Sequence, residues 1–365
     1  MIKTKTSSYR LQYLDWVRGL GALIMLQGHV FDSFLKQDQR TGGPFVLSQF
    51  VGGMPPAIFL FLTGVTLAFL MNSSERKGFT PSQRVYIAFR RSGFLFLVAF
   101  LFRLQLWLFS WPAASWTNLL KVDILNCMGF SIAILSIMAF FKTTERVRYC
   151  AIVGLVIAGL APVVSQIDAS AIPEMLRAYV VPDFRFFAFF PWGAFVAFGM
   201  SAGSIIRIVQ EDATERTMQW AAIAGGALIL TCHYFSNIPF SIYENTDYWL
   251  NSPAQILTKV GVILLMISAA YLWTRYGAKE GWSWVRQLGT TSLLVYWVHI
   301  ELVYGRWFGY YKLSLNVPQT VGLSVAMILL MLGLSTLRTY HERVRLALMQ
   351  TGWWFQPKPQ RVPGD

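Results

Sequence analysis

An all-α fold, a polytopic integral membrane bundle of about ten transmembrane helices, is predicted by three observations. Of the 365 residues 55% are apolar and 13% charged, where soluble proteins carry about 25% charged residues. Aromatic residues reach 16%. Runs of about 20 mostly apolar residues, the length an α-helix needs to cross a hydrocarbon core of about 30 Å, recur from Leu11 to the neighbourhood of Arg338. Long unbroken runs exclude a β-barrel, whose strands alternate in character over about ten residues. The same composition excludes a soluble enzyme.

In chain order the spans are predicted at 11–35, 51–72, 92–110, 121–141, 149–166, 184–206, 218–236, 254–274, 288–306 and 318–338. Prolines punctuate them where a helix tolerates them. Pro55 and Pro56 stand near the start of the second span, Pro112 after the third, Pro182 before the sixth, Pro253 before the eighth and Pro318 at the opening of the tenth. The linkers are short, so the expected organisation is a cytoplasmic N-terminal segment (1–10), one transmembrane domain (11–338) and a cytoplasmic C-terminal tail (339–365). No cleavable leader is expected, because the first span lacks a small-residue cleavage site and a second span follows at once.

Orientation follows from the basic residues. With a cytoplasmic N-terminus, the inner segments hold 21 Lys and Arg and the outer segments 7, with Arg18, Arg103 and Lys259 inside spans. Both termini are therefore expected in the cytoplasm and the protein in the cytoplasmic (inner) membrane. The net charge of +13 is absorbed by this bias and by anionic lipid, and it is not read as nucleic-acid binding. Cys127, Cys150 and Cys232 have no metal or redox spacing and read as packing residues. The four histidines likewise show no paired ligand spacing, and no metal is expected.

Chemistry is sought among polar groups held inside lipid, where they are costly. The first span is the richest in them. Arg18 and His29 are eleven residues apart, which at about 100° per residue returns both to one face. Asp15 and Asp32 fall three residues outside them, so an Asp15/Arg18 pair and a His29/Asp32 pair share one seam, separated by about 16 Å. Read structurally, the inner pair is an interfacial anchor and His29 a hydrogen-bonded core histidine. That reading leaves the shared face unexplained. A second polar set lies at similar outer depth: His233, Lys259, Arg103, and Tyr296, His299 and Glu301 in the ninth span. Each one alone reads as snorkelling or interhelical hydrogen bonding. Their grouping with His29 marks a candidate site.

The stretch Tyr13 to Phe34, with Leu14-Asp15-Trp16-Val17-Arg18-Gly19 and then His29-Val30-Phe31-Asp32, resembles the first span of the bacterial relatives of heparan-alpha-glucosaminide N-acetyltransferase, within the transmembrane acyltransferase superfamily. Four further blocks are similar to that family and keep its order: Met54 to Gly64, Asp123 to Gly129, Phe190-Pro191-Trp192-Gly193 leading to Gly199, and Leu288 to His299. The resemblance covers about residues 10 to 310. One departure is Gly28, at a position where bacterial relatives often carry an acid immediately before the histidine.

The resemblance implies transfer of an acyl group, acetyl in the first instance, from cytoplasmic acyl-CoA as co-substrate to a sugar or glycan hydroxyl or amine at or across the bilayer. Within that reading His29 is the candidate general base and Asp32 its orienting partner. Arg18, with Asp15, is placed for donor phosphates. Tyr296, His299, Arg103 and Trp192 are placed for the acceptor, and His299 is the alternative base. The expected partners are the lipid bilayer, acyl-CoA and the acceptor; a homo-oligomer is compatible with the sequence. A secondary transporter or flippase of a sugar or acyl compound is the competing reading, since intramembrane charges and histidines also suit proton relays. Paired halves with matching broken helices, which transporters often show, are not found.

Overall fold

The computed structural model describes residues 11–350 except 113, 169–170, 239–240 and 278–280. Lys3, Lys5, Arg10, Lys279, Lys358 and Arg361, counted above for orientation, lie outside the described residues, as do the segments 1–10 and 351–365.

Each predicted span is occupied by helix. In chain order these are α1 (Gln12–Phe34), α2 (Gly43–Gly52), α3 (Pro55–Arg76), α4 (Pro81–Phe109), α5 (Ile124–Leu135), α6 (Thr143–Ser165), α7 (Glu174–Val180), α8 (Phe189–Ile208), α9 (Thr214–Ser236), α10 (Pro253–Leu272), α11 (Trp284–Thr290), α12 (Ser292–Tyr304) and α13 (Val317–Gln350). Among the described residues no extended strand forms, and one isolated bridge joins Leu35 to Leu315. By length and composition 6 helices are apolar enough to cross a membrane: Gly43–Arg76, Pro81–Phe109, Thr143–Ser165, Phe189–Ile208, Pro253–Gly277 and Val317–Glu342. Ile124–Phe140 and Ser292–Tyr304 are shorter apolar helices.

Four boundaries differ from the sequence expectation, each for a local reason. α4 begins at Pro81 rather than near 92, because Thr80 and Gln83 form a reciprocal capping box with Pro81 in the first turn. Arg84, Arg90 and Arg91 are thus helical, and Arg84 is buried among protein groups. α2 folds from a stretch expected as outer loop. It is fixed to α1 by Gln27 Nε2 donating to Ser48 O (3.2 Å) and Gln49 Nε2 donating to Gly28 O (3.1 Å). The ninth span is two helices, broken at Thr291, whose φ of −116° and ψ of 22° leave the helical region. Thr291 Oγ1 and the Gln287 side chain meet Ser335 of α13 at the break. Finally, α13 continues past 338 to Gln350.

Helix packing relies on glycines that let backbones touch. A Cβ at Gly64 would stand 2.0 Å from Val196 O, and one at Gly199 would stand 1.9 Å from Phe61 O, so α3 and α8 approach through this reciprocal pair. α1 and α11 do the same: a Cβ at Gly19 would fall 2.0 Å from Val285 O, and one at Gly289 1.9 Å from Asp15 O. Lipid tails provide no hydrophobic drive between helices, so close packing through small residues carries association. The C-terminal end of α3 and the N-terminal ends of α4 and α6 are joined by Glu75, whose Oε2 meets Arg146 at 3.0 Å, Arg84 at 3.3 Å and the Thr143 hydroxyl at 2.8 Å. Arg146 is fully buried there.

Because the approach at Gly199 is set by backbone rather than by a movable side chain, Gly199→Ala is expected to cost about 1–3 kcal/mol by overpacking and to lower the melting temperature in detergent. Gly226→Ala, on α9 with nothing within 4 Å of the new methyl, is the control and should melt like wild type. Equal melting of the two variants would show that α3 and α8 do not meet as described.

Candidate functional site

α1, α3, α4, α5 and the broken α11–α12 pair enclose a cavity of about 1200 Å³. Both Arg18 and His29 line it, so the face predicted on the first span is the wall of this cavity. Their eleven-residue separation gives it a length of at least about 16 Å along the helix axis. Backbone that leaves helical geometry inside a membrane is tolerated where it lines such a space, and Gly289 to Leu294, spanning the Thr291 break, does so.

At one end stand Arg18, Arg91 and, from α13, Arg338 with Glu342. Arg18 pairs with the buried Asp15 at 3.0 Å. Arg91 donates to the Thr66 hydroxyl at 3.1 Å. Three guanidinium groups line this end, each a planar donor fork suited to phosphate oxygens, with Arg18 and Arg338 also meeting Asp15 and Glu342.

The other end holds Arg103, Lys121, Asp123 and Arg185. Asp123 caps α5, with Oδ1 accepting from the backbone N–H of Leu125 (2.9 Å) and Asn126 (3.2 Å). Its other oxygen lies 3.1 Å from Arg103 Nε, in a geometry that is ionic rather than an aligned hydrogen bond. Arg185 is shared between Asp183 at 2.7 Å and Glu174 at 3.4 Å. Lys121 lies in the connection before α5, where partial burial and then the nearby Arg103 and Arg185 push its pKa below the ordinary lysine value, despite the opposing pull of Asp123.

Between the ends, His29 Nδ1 lies 3.0 Å from His299 Nε2, with the rings near parallel at 15° and centroids 5.2 Å apart. His29 faces the cavity, whereas His299 is fully buried behind it. Tyr304 packs edge-on to His29 at 5.4 Å and donates its hydroxyl to Asp32 Oδ2 at 2.9 Å. Asp32 also pairs with Arg40 at 3.7 Å. The i,i+3 relation puts Asp32 on the same face as His29 but a turn further out. Its carboxylate engages Tyr304 and Arg40, and the imidazole takes His299 as partner instead. Tyr296 lines the cavity and touches His299 edge-on at 5.9 Å.

Of the sequence-level set, Trp192, Lys259, His233 and Glu301 lie elsewhere; Glu301 is buried on α12, where its Oε1 accepts from Trp307 Nε1 at 3.0 Å. Trp192 does not line the cavity; it packs behind Phe187, which does, at 5.2 Å, and carries Lys259 Nζ over its ring at 5.3 Å. His233 is exposed on the last turn of α9. Conversely, Arg91, Arg338, Lys121, Asp123, Arg185 and Tyr304 line the cavity without having been singled out as site residues. Arg91 and Arg338 were counted as loop cations. For Asp123 a signal was available, since an aspartate directly before an apolar run reads as a helix cap. Among the described residues no group of three or more His, Cys, Asp or Glu side chains comes together.

The sequence profile of heparan-alpha-glucosaminide N-acetyltransferase, catalytic, matches residues 10–246. The chain belongs to this family. No curated protein matches it. Membership in the heparan-alpha-glucosaminide N-acetyltransferase family points to acyl transfer in a membrane. The matched stretch runs through α9 and so contains Arg18, His29, Arg91, Arg103 and Asp123. His299, Tyr296 and Tyr304, on α12, lie beyond it.

The Arg103–Asp123 pair gives a test of its end of the cavity. Asp123 is buried, so Arg103→Met alone leaves an uncompensated carboxylate and is expected to cost about 3–5 kcal/mol. Arg103→Met with Asp123→Asn keeps the cap without the charge and should recover most of that loss in a thermal melt. Additive losses would mean the two groups do not interact.

Proposed function

We propose that this protein transfers an acyl group, acetyl in the first instance, from cytoplasmic acyl-CoA to a sugar or glycan hydroxyl or amine at or across the membrane, with His29 as general base. The observation that carries the reading is that Arg18 and His29 line one cavity about 16 Å apart along a single helix. An arginine-rich opening and an imidazole deeper in the cavity suit a donor whose phosphates stay at the mouth while its pantetheine arm carries the thioester inward. The acceptor enters from the end bearing Arg103 and Lys121, and Tyr296 lies on its path.

In the chemical step the acceptor hydroxyl or amine attacks the thioester carbonyl. A C–O or C–N bond forms, the C–S bond breaks, and the acceptor proton passes to His29. The imidazolium then returns that proton to the departing thiolate, so the enzyme ends unchanged and free CoA leaves. Arg18 and Arg91 hold the donor and carry no proton in this scheme. Tyr304 and Arg40 hold the Asp32 carboxylate near the imidazole face, where its charge favours the imidazolium that forms during transfer.

The ten-span arrangement belongs to this proposal. α1 and α9, at 23 residues each, are about 35 Å long, enough to cross. α5 with its 3-10 extension and α11 with α12 complete the set, and the basic residues orient both termini to the cytoplasm of an inner membrane. The segments 1–10 and 339–365 are then cytoplasmic. Cysteine introduced at the exposed Gln37 and Ser82 should label from opposite sides of intact cells. Labelling of both from one side would remove this topology.

Function is tested by incubating the purified protein with acetyl-CoA and a panel of glycans and measuring released CoA. Glycan-stimulated release is expected; transport of a sugar or acyl compound through the same cavity would release none. His29→Gln should be as inactive as His29→Ala, each down by about 10²- to 10⁴-fold in turnover, with donor binding retained. Substantial turnover in well-folded His29→Ala would end the general-base assignment. Arg18→Lys keeps the charge but loses the planar fork, and is expected to raise KM for acetyl-CoA more than it lowers kcat.

A further inference from the structure

The hydrogen-bond chain running inward from the cavity wall has only one consistent direction. His299 Nδ1 lies 2.6 Å from Val295 O, and a carbonyl oxygen only accepts, so Nδ1 carries the hydrogen. A second proton on Nε2 would create an imidazolium in a fully buried side chain that no carboxylate ion-pairs among the described residues. Such a charge is costly without a partner. His299 Nε2 therefore presents a lone pair, and the group facing it at 3.0 Å is His29 Nδ1. For that contact to be a hydrogen bond His29 Nδ1 must donate, which in a neutral ring leaves His29 Nε2 unprotonated. Among the described residues no side chain or backbone group bonds His29 Nε2, and His29 is the member of the pair that lines the cavity.

We propose that His299 is a positioning residue that fixes His29 in the tautomer presenting a bare Nε2 to the cavity. The inference rests on His29 being the base, as argued above, and adds how that base is kept ready. It is the arrangement by which an orienting group holds a catalytic imidazole in the correct tautomer, with a neutral ring and a backbone carbonyl replacing a carboxylate. When His29 takes the acceptor proton on Nε2, its Nδ1–H bond to His299 persists and becomes charge-assisted. No proton need move behind the reacting face.

The register that allows this is built into the two helices. Ser33 Oγ donates to Val303 O at 2.8 Å one turn outward from the pair, tying α1 to α12. Val295 belongs to the first turn after the Thr291 break, its N–H bonded to Thr291 O at 3.1 Å. The carbonyl that starts the chain therefore sits in the first turn of α12, directly after the break.

The test reads the tautomer directly and separately from turnover. The chain has 4 histidines, so ¹⁵N-histidine labelling of the intact protein in nanodiscs gives few ring signals, and those of His29 are assigned by their loss in His29→Asn. In wild type His29 is expected as the Nδ1–H form. In His299→Asn, where no acceptor reaches His29 Nδ1, it should shift toward the Nε2–H form ordinarily favoured by free imidazole. His299→Gln places an amide oxygen near the old Nε2 position and should keep the wild-type signal. Released CoA should follow: His299→Asn down about 10²-fold or more in kcat with KM for acetyl-CoA unchanged, His299→Gln within about tenfold of wild type. An Nε2–H signal for His29 in wild type overturns the proposal, as does wild-type turnover in folded His299→Asn. If no acyl transfer occurs at all, the functional reading fails, while the ring signals still decide the tautomer. If His299→Asn does not fold, the wild-type signal and His299→Gln remain decisive.

Discussion

The close approach of α1 to α11 through Gly19 and Gly289 is the constraint on which the rest of the site depends. With each missing side chain replaced by the other helix's backbone, α1 has no freedom to rotate or slide against α11 without opening a gap that lipid cannot fill. Asp15 contributes the carbonyl that Gly289 meets, so the position of Arg18, less than a turn away, is set by main-chain contact. The same rigid pairing carries through the Thr291 break to α12 and sets the depth at which His299 meets His29. The Gly64 and Gly199 pair does for α3 and α8 what Gly19 and Gly289 do for α1 and α11, and α3 provides the opposite wall. The family words met in the sequence are thus largely words about contact: Gly19, Gly64, Gly199 and Gly289 each sit inside or at the end of one.

Much of the fold could be read from the chain because a lipid solvent leaves a strong one-dimensional record. Apolar length reveals a helix whatever it packs against, and every expected span has its helix. What periodicity could not reveal were relations between helices. It put Arg18 and His29 on one face, which the cavity shares, and Asp32 a turn from His29, without showing that Tyr304 and Arg40 hold the carboxylate. It gave His299 the depth of the site without showing that His299 stands behind His29. Lys259 and His233 were grouped with the site by depth alone, and depth does not distinguish one side of a bundle from another; Trp192 came from a family word, which marks helix contact as readily as a site. α2 and the Thr291 break escaped because both are held by partners far away in sequence, Gln27 on α1 for the first and Ser335 on α13 for the second.

Basic residues serve two purposes that the sequence cannot separate. Arg84, Arg91 and Arg146 count toward an inward positive bias, yet Arg84 and Arg146 are buried around Glu75 and Arg91 faces the cavity. A single carboxylate between two guanidinium groups leaves a buried excess of positive charge where the C-terminal end of α3 meets the N-terminal ends of α4 and α6. That excess is partly offset by the carbonyl of Phe141, which accepts from Arg146 at 2.9 Å. Packing and the cavity wall therefore draw on the same cations that the positive-inside count uses, and a change to any of them alters more than one property.

The contact of α1 with α2 at Gly28 has a consequence for how this sequence can vary over descent. A methyl group at Gly28 would stand 3.3 Å from the Cα of Gly52, and the longer stem of an aspartate or glutamate would press further into α2. An acid immediately before the histidine therefore requires α2 to move away by a few tenths of an ångström, because residue 52 is already glycine and offers nothing smaller. A lineage that exchanges the glycine for an acid should therefore carry its compensating mark where the short helix is seated on α1, at Gln27 or Gln49.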